Sequence, residues 1–294
     1  MIALILSIVL STYLVLAFRA FDKYKINHLQ AIVINYVVCV ITGSVFDGKL
    51  PAYNVALSSN WIWIALTLGI SFIFFFNMMG WIASNIGITV TSVAGKLSMV
   101  IPVTLAFWLY DDVICGWKIV ALILSIPAVI LSSYKKEEGK KFGLLYLLVP
   151  MFLFLGSGFN DTLVQYAQFH FLEENEFPMF MMILFSVAAV AGSIFLLFSV
   201  VTKPKSSRDV LFPTKTIIGG ILLGIPNYFS LHFLLKALST EGWSSSLVFP
   251  INNIGIVLLT GILAFIIFRE KLSRVNLIGL ALSVICIVLM IYSK

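Results

Sequence analysis

The chain has 294 residues, of which 61% are hydrophobic and only 11% are charged. Soluble domains hold about 25% charged residues, so the composition excludes a soluble globular protein and points to a chain that crosses a membrane many times. The net charge of +6 lies in short loops without a dense basic stretch. Nucleic acid is therefore not an expected partner, and the lipid bilayer is.

A spanning helix needs about 20 mostly apolar residues. By that rule the sequence predicts an all-α polytopic membrane protein with ten transmembrane helices, over residues 2–18, 31–45, 61–82, 89–110, 117–134, 144–169, 179–201, 216–238, 244–268 and 276–292. The first segment is apolar from its start and meets its first basic residue only at Arg19. It reads as a retained helix, not a cleaved signal peptide. The third and fourth segments are joined by the uncharged "ASNIGIT", and the seventh and eighth by the polar "TKPKSSRDVLFPTK". Cys39, Cys115 and Cys286 lie within or beside apolar segments with no C-x-x-C spacing, so neither a disulfide framework nor a metal site is expected.

Residues 105–136 can be laid over residues 263–294 without a gap, at an offset of 158. Leu105, Ala106 and Phe107 then fall on Leu263, Ala264 and Phe265, Ser125 on Ser283, Tyr134 on Tyr292, and Asp112 on Glu270. The repeat divides the chain into a first half (1–134), a linker (135–141, "KKEEGKK") and a second half (142–294). Five helices per half is an odd number, so the halves are expected to be inverted repeats. Fourteen basic residues flank odd-numbered loops, against three in even loops and the tail. The loop charges thus predict both termini outside.

Ten helices in two halves, with an acid ending the fourth and ninth, resemble the EamA-like drug/metabolite transporter superfamily. The resemblance rests on "FREKLSRVNLIGLALSVICIVLMIY" (268–292), where an acidic–basic pair and Leu-Ser precede a helix with an early glycine, Gly279, and on "PVTLAFWLYDD" (102–112). The first half departs from the pattern in carrying Asp111-Asp112. The resemblance implies a permease of a bacterial inner membrane with cytoplasmic termini, against the loop charges. It also implies a central cavity lined mainly by helices one, three, four, six, eight and nine.

Lys96, in "TSVAGKLSMVIP", is the only charge between Trp81 and Trp108. At the bilayer centre a Lys costs about 2.5–3.5 kcal/mol on insertion scales, so it is expected to bind an anionic substrate group or to pair with an internal acid; the alternatives are snorkelling or a structural ion pair. Asp161, in "GSGFNDTLVQYAQ", is the natural partner, with Asn160 beside it and Gln165 on the same face. A Lys96–Asp161 bridge could equally be structural, whereas a protonatable Asp161 would permit proton coupling. "FPINNIG" places Asn252 and Asn253 behind Pro250, as neutral hydrogen-bond groups at depth or as interhelical glue. Asn77 and Trp81 share a face, as do Tyr228 and His232, with Asn227 beside them. Lys236, near a helix end, reads as snorkelling. Gly220 and Gly224 form a G-x-x-x-G that close helix packing explains. Trp61, Trp63, Trp117 and Trp243 read as interfacial anchors.

No Ser-His-Asp layout, H-E-x-x-H or P-loop occurs, so neither an enzyme nor a cofactor is expected. The reading that results is a secondary transporter of small polar metabolites, with amino acids or related compounds as the expected class, working by alternating access around a midplane cavity. The substrate-binding set is Lys96, Asn77, Trp81, Asn160, Asp161, Asn227, Tyr228, His232, Asn252 and Asn253. The alternative is a polytopic enzyme acting on a lipid-linked substrate, for which no acid or histidine cluster stands out.

Overall fold

The computed structural model describes residues 1–102, 104–105, 116–134, 144–202, 211–238 and 245–292. The Asp111-Asp112 pair, Trp108, Cys115, the 135–141 linker, Trp243 and the basic residues of 203–210 lie outside the described residues. No strand occurs among those described. The helices in chain order are α1 (Ile2–Lys23), α2 (His28–Asp47), the short α3 (Tyr53–Leu57), α4 (Ile62–Asn85), α5 (Ile88–Leu97) and α6 (Gly116–Ser133). They are followed by α7 (Leu144–His170), α8 (Phe177–Thr202), α9 (Thr214–Leu238), α10 (Ser245–Phe268) and α11 (Arg274–Tyr292).

Seven of these, namely α1, α2, α4, α7, α8, α9 and α10, are long and apolar enough to cross a bilayer, and three shorter apolar helices cover Ile88–Pro102, Ile119–Ser133 and Arg274–Leu289. Large apolar side chains stand exposed along them, such as Val190, Ile194 and Phe198 on α8 and Ile262, Phe265 and Ile266 on α10. Such continuous apolar faces suit lipid and not water. The protein is an all-helical integral membrane protein.

Local chemistry sets several boundaries. Asn27 caps α2 by accepting from the Gln30 amide at 3.1 Å, and Gly48 ends the helix in the left-handed region at φ 66°. Ser273 and Asn276 cap α11 reciprocally: the Ser273 amide donates to Asn276 Oδ1 at 2.9 Å and the Asn276 amide to Ser273 Oγ at 3.2 Å. The fourth apolar segment is not one continuous helix. α5 stops at Leu97, Ser98 and Met99 form a turn, and helical backbone resumes at Val100. Pro102 explains the break. It has no N–H to offer the Ser98 carbonyl, and the Ile101 amide takes that carbonyl at 2.9 Å in a tighter turn. By contrast α10 runs through Pro250 without interruption.

The chain forms two compact units that cut across the two sequence halves. The first holds Met1–Arg19, Met78–Thr162 and Ser230–Lys294; the second holds Ala20–Asn77 and Leu163–Phe229. Packing units follow contact between helices, so their boundaries need not coincide with halves expected from the sequence.

In the first unit α10 packs on α5 and α11, and α11 on α6. Small residues set the closest approaches. A Cβ at Gly279 of α11 would lie 2.8 Å from the Ser132 Cα, and one at Gly255 of α10 would lie 3.0 Å from Ile8 Cγ1 of α1. One at Gly158 of α7 would lie 2.9 Å from Ile101 Cβ. Asn276 Nδ2 donates to the Ser132 and Tyr134 carbonyls at 2.7 and 2.8 Å, tying the start of α11 to the end of α6.

In the second unit α2 is central. Its residues Ala31 and Asn35 meet the glycine pair of α9: a Cβ at Gly220 would lie 2.9 Å from the Ala31 carbonyl, and one at Gly224 2.8 Å from that of Asn35. The G-x-x-x-G is a packing device, as expected. Gly43 of α2 faces Met182 of α8 and Tyr228 of α9, while Gly192 of α8 faces Val33 of α2 and Ile73 of α4. Trp61 departs from the sequence reading. It is 2% exposed, packed edge-on to Phe180, with its indole N–H toward Glu176 Oε1 at 3.5 Å. A buried indole needs an acceptor, and Glu176 supplies it, so Trp61 is core and not an interfacial anchor. Trp63 and Trp117 are exposed.

Candidate functional site

Lys96 sits one residue before the end of α5, beside the break. Its neighbours Val93, Ala94, Leu97 and Met99 are buried, while Lys96 itself keeps intermediate exposure. Asp161, on α7, is the acid that acts on it electrostatically, and no direct ion pair joins the two among the described residues. The ammonium is thus not sealed in a closed salt bridge.

The break organises the rest of the site. Ser98 Oγ lies 2.8 Å from the Gly95 carbonyl and 3.2 Å from Asp161 Oδ2. A hydroxyl has one proton, so the loosened carbonyl and the carboxylate compete for it. Close approach of α7 makes this geometry possible: an added Cβ at Gly95 would be 4.0 Å from Ser157 Oγ, and Gly158 seats Ile101. The "GSG" of the sixth apolar segment is therefore what brings Asp161 to the α5 break. Asn160 is buried on the same turn.

Asn252 and Asn253 are buried at 1% and 5% exposure, and Asn252 Oδ1 has no hydrogen-bond partner among the described residues. Their level relative to Lys96 follows from the packing of α5 on α10. The C-terminal end of α10 meets the N-terminal end of α5, where Ala264 clusters with Ile88 and Gly261 faces the Thr89 methyl. The helices are therefore antiparallel, and equal rise from that anchor places Lys96 level with Ile254. One unit thus contains a cation, an acid and buried amides, with an orphaned acceptor, at similar depth. An unmet buried acceptor costs about 1–3 kcal/mol, so Asn252 calls for a water or a ligand donor.

The other expected site residues have different surroundings. In the second unit Asn227 Nδ2 donates to Asn35 Oδ1 at 3.1 Å, and the Cys39 thiol donates to the Gly224 carbonyl at 3.3 Å. Tyr228 is fully buried, and its hydroxyl donates to Asp47 Oδ2 at 2.6 Å. Asn77 gives its amide to the Ile73 carbonyl of its own helix at 2.7 Å. In the first unit Trp81 is partly exposed and His232 packs against Phe233. Lys236 is exposed near the end of α9. No group of metal-ligating side chains occurs among the described residues.

Sequence reasoning missed a second polar cluster in the first unit. A cavity of about 330 Å³ opens where α1, α4, α6 and α10 end and α5 begins; its lining includes Arg19, Ser84, Asn85, Tyr134, Glu270 and Asn276. Arg19 Nη1 donates to the Ser84 carbonyl. Glu270 accepts from the Thr89 amide and hydroxyl, each at 3.4 Å. The one signal in the sequence is the match of Glu270 to Asp112, which marks the repeat and the family resemblance but not a polar cluster.

No family model matches the chain. It is 28% identical over 298 residues to an uncharacterised protein of Haemophilus influenzae, covering 98% of this chain and 97% of that one. A solved crystal structure is similar with a TM-score of 0.59 at 14% identity, covering 98% of this chain and 94% of the other. At that identity the likeness is one of fold.

Proposed function

We propose that this protein is a secondary transporter of small polar metabolites that carry an anionic group, with amino acids or related compounds as the substrate class. It moves them by alternating access between two inverted five-helix halves, and it belongs with the EamA-like drug/metabolite transporters. The observation that carries the reading is Lys96: an ammonium placed at the broken end of a short buried helix, without a direct ion pair among the described residues. Lys96 takes the substrate's carboxylate, while Asn160, Asn252 and Asn253 hydrogen-bond the remainder. Asp161 balances the charge of Lys96 when the site is empty and permits proton coupling. Interrupted helices that bare polar backbone at depth are how many carriers build such sites.

Packing symmetry supports the inverted halves. Exchanging α2 with α8 and α4 with α9 turns the Gly43 contact with Met182 and Tyr228 into the Gly192 contact with Val33 and Ile73. The approach of α10 to α1 at Gly255 and Ile8 has a counterpart in that of α7 to the fourth apolar segment at Gly158 and Ile101, with the glycine on the other member of the pair. A two-fold relation between halves requires such interchange.

The test is reconstitution into liposomes with a panel of labelled amino acids and sugars. Saturable flux of an anionic or zwitterionic compound, lost in Lys96→Met, is the expected result. Flux confined to neutral sugars, or unaffected by Lys96→Met, would overturn the reading.

A further inference from the structure

The cavity of about 330 Å³ at the start of α5 is lined by three cationic side chains, Arg19, Arg269 and Lys271, and by one acidic side chain, Glu270. Glu270 is already engaged. Its carboxylate accepts from the Thr89 amide and hydroxyl, each at 3.4 Å, and an added Cβ on Gly87 would collide with its Oε1. The first turn of α5 thus has its own anion and calls for no second one. With Glu270 ionised, the cavity wall still holds an excess of two positive charges. Arg19 acts electrostatically on Glu270 and donates to the Ser84 carbonyl, which is a neutral acceptor. Among the described residues the Arg269 and Lys271 side chains make no ion pair.

Most neutral donors of the same wall are committed within their own helices. Ser132 and Ser133 give their hydroxyls to the Val129 carbonyl at 2.9 and 2.6 Å, and Asn85 gives its amide to the Trp81 carbonyl at 2.9 Å. Ser84 differs, because its buried hydroxyl has no hydrogen-bond partner among the described residues. What the cavity offers a guest is therefore positive charge and one open hydroxyl. That equipment suits an anion rich in acceptor oxygens, of which a phosphate group is the type case. The volume lies at the lower end of the range for ligand pockets, about 300–1,000 Å³.

The surroundings indicate what carries the phosphate. Exposed apolar side chains flank the cationic turn on both sides, Phe265, Ile266 and Ile267 before it and Leu277 and Ile278 after it. Acyl chains have a surface to lie on within one or two helical turns of Arg269 and Lys271. The helix ends around the cavity lead into the first, third, fifth and ninth connections of the ten-segment reading, the odd-numbered set that carries the basic excess. The charge rule puts that set on the side of the anionic cytoplasmic leaflet.

We propose that this cavity binds the phosphate of an anionic lipid headgroup. Arg269, Lys271 and the Ser84 hydroxyl are its donors, Arg19 adds charge, and the acyl chains run along the exposed ends of α10 and α11. The site is separate from Lys96, which lies at the other end of α5.

The test is native mass spectrometry of the full chain in detergent, titrated with phosphatidylglycerol, with phosphatidylcholine or with inorganic phosphate. No transport substrate is involved, so the outcome is independent of the transport reading. Phosphatidylglycerol is expected to bind, and the double variant Arg269→Gln with Lys271→Gln to bind it about tenfold more weakly or worse. Lys23→Gln with Lys25→Gln removes the same charge from the α1–α2 connection, outside the cavity, and is expected to leave binding unchanged. Displacement of the lipid by inorganic phosphate alone would overturn the lipid as the source and leave a phosphate site. Equally tight binding of phosphatidylcholine, or an equal loss in both double variants, would overturn the proposal. Should the Arg269–Lys271 double variant fail to fold, Lys271→Gln against Lys23→Gln makes the same comparison.

Discussion

The Ser98 hydroxyl lies 3.2 Å from Asp161 Oδ2 and joins the broken end of α5 to α7. The same hydroxyl also lies 2.8 Å from the Gly95 carbonyl, so its one proton is shared between the last turn of α5 and the α7 carboxylate. Ser98→Ala leaves a carboxylate without this donor, at a cost of about 1–3 kcal/mol. Thermal unfolding in detergent should show a lowered melting temperature, with Ser98→Thr close to wild type. An unchanged melting temperature in Ser98→Ala would mean that the contact has no stabilising role.

Gly158 makes the approach of α7 possible. A methyl there would press on Ile101, with Cβ atoms 2.9 Å apart. Overpacking of this kind costs about 1–3 kcal/mol, so Gly158→Ala should lower stability. Combining it with Ile101→Ala should recover part of the loss. A double-mutant cycle on melting temperatures measures that coupling, and strict additivity would count against direct contact.

Asn276 is a single side chain that ends one helix and begins another. Its amide reaches the Ser132 and Tyr134 carbonyls, and its Oδ1 caps its own helix. Asn276→Ala should cost about 1–3 kcal/mol, the range for a buried polar group left unmet. Asn276→Asp should cost at least as much, because it places a carboxylate against carbonyl oxygens while retaining the cap. Stability of Asn276→Asp equal to wild type would show that the cap alone matters.

How much of this was legible in advance differs from residue to residue. Seven of the helix spans were, because lipid demands long apolar runs, while the runs at 89–110, 117–134 and 276–292 are met by shorter helices among the described residues. The packing role of Gly220 and Gly224 was legible from their spacing. The break at Ser98 was not read, although Pro102 four residues on announces it; apolar length alone gives a continuous helix. Trp61 misled because a terminal Trp looks alike whether it faces lipid or a neighbouring helix. The two compact units were hidden because pairing of helices distant in sequence leaves no local mark. The Glu270–Thr89 contact spans 181 positions and was hidden for the same reason.

Lys96→Met separates function from stability. Combined with Asp161→Asn, so that no uncompensated acid is left, it removes both charges from an apolar surround and is expected to leave the melting temperature unchanged or to raise it. A large fall in stability would identify Lys96 as a structural partner of Asp161 instead.

Whether the Lys96 ammonium meets water inside the membrane is most directly measured by cysteine accessibility. Lys96→Cys would be placed in a chain whose Cys39, Cys115 and Cys286 are replaced, and treated with a small, charged, water-soluble thiol reagent in intact liposomes. Modification of the folded protein, slowed by a transported substrate, is the predicted result. A Lys96→Cys thiol that reacts only after denaturation would show a dry position and contradict the placement of the substrate site there.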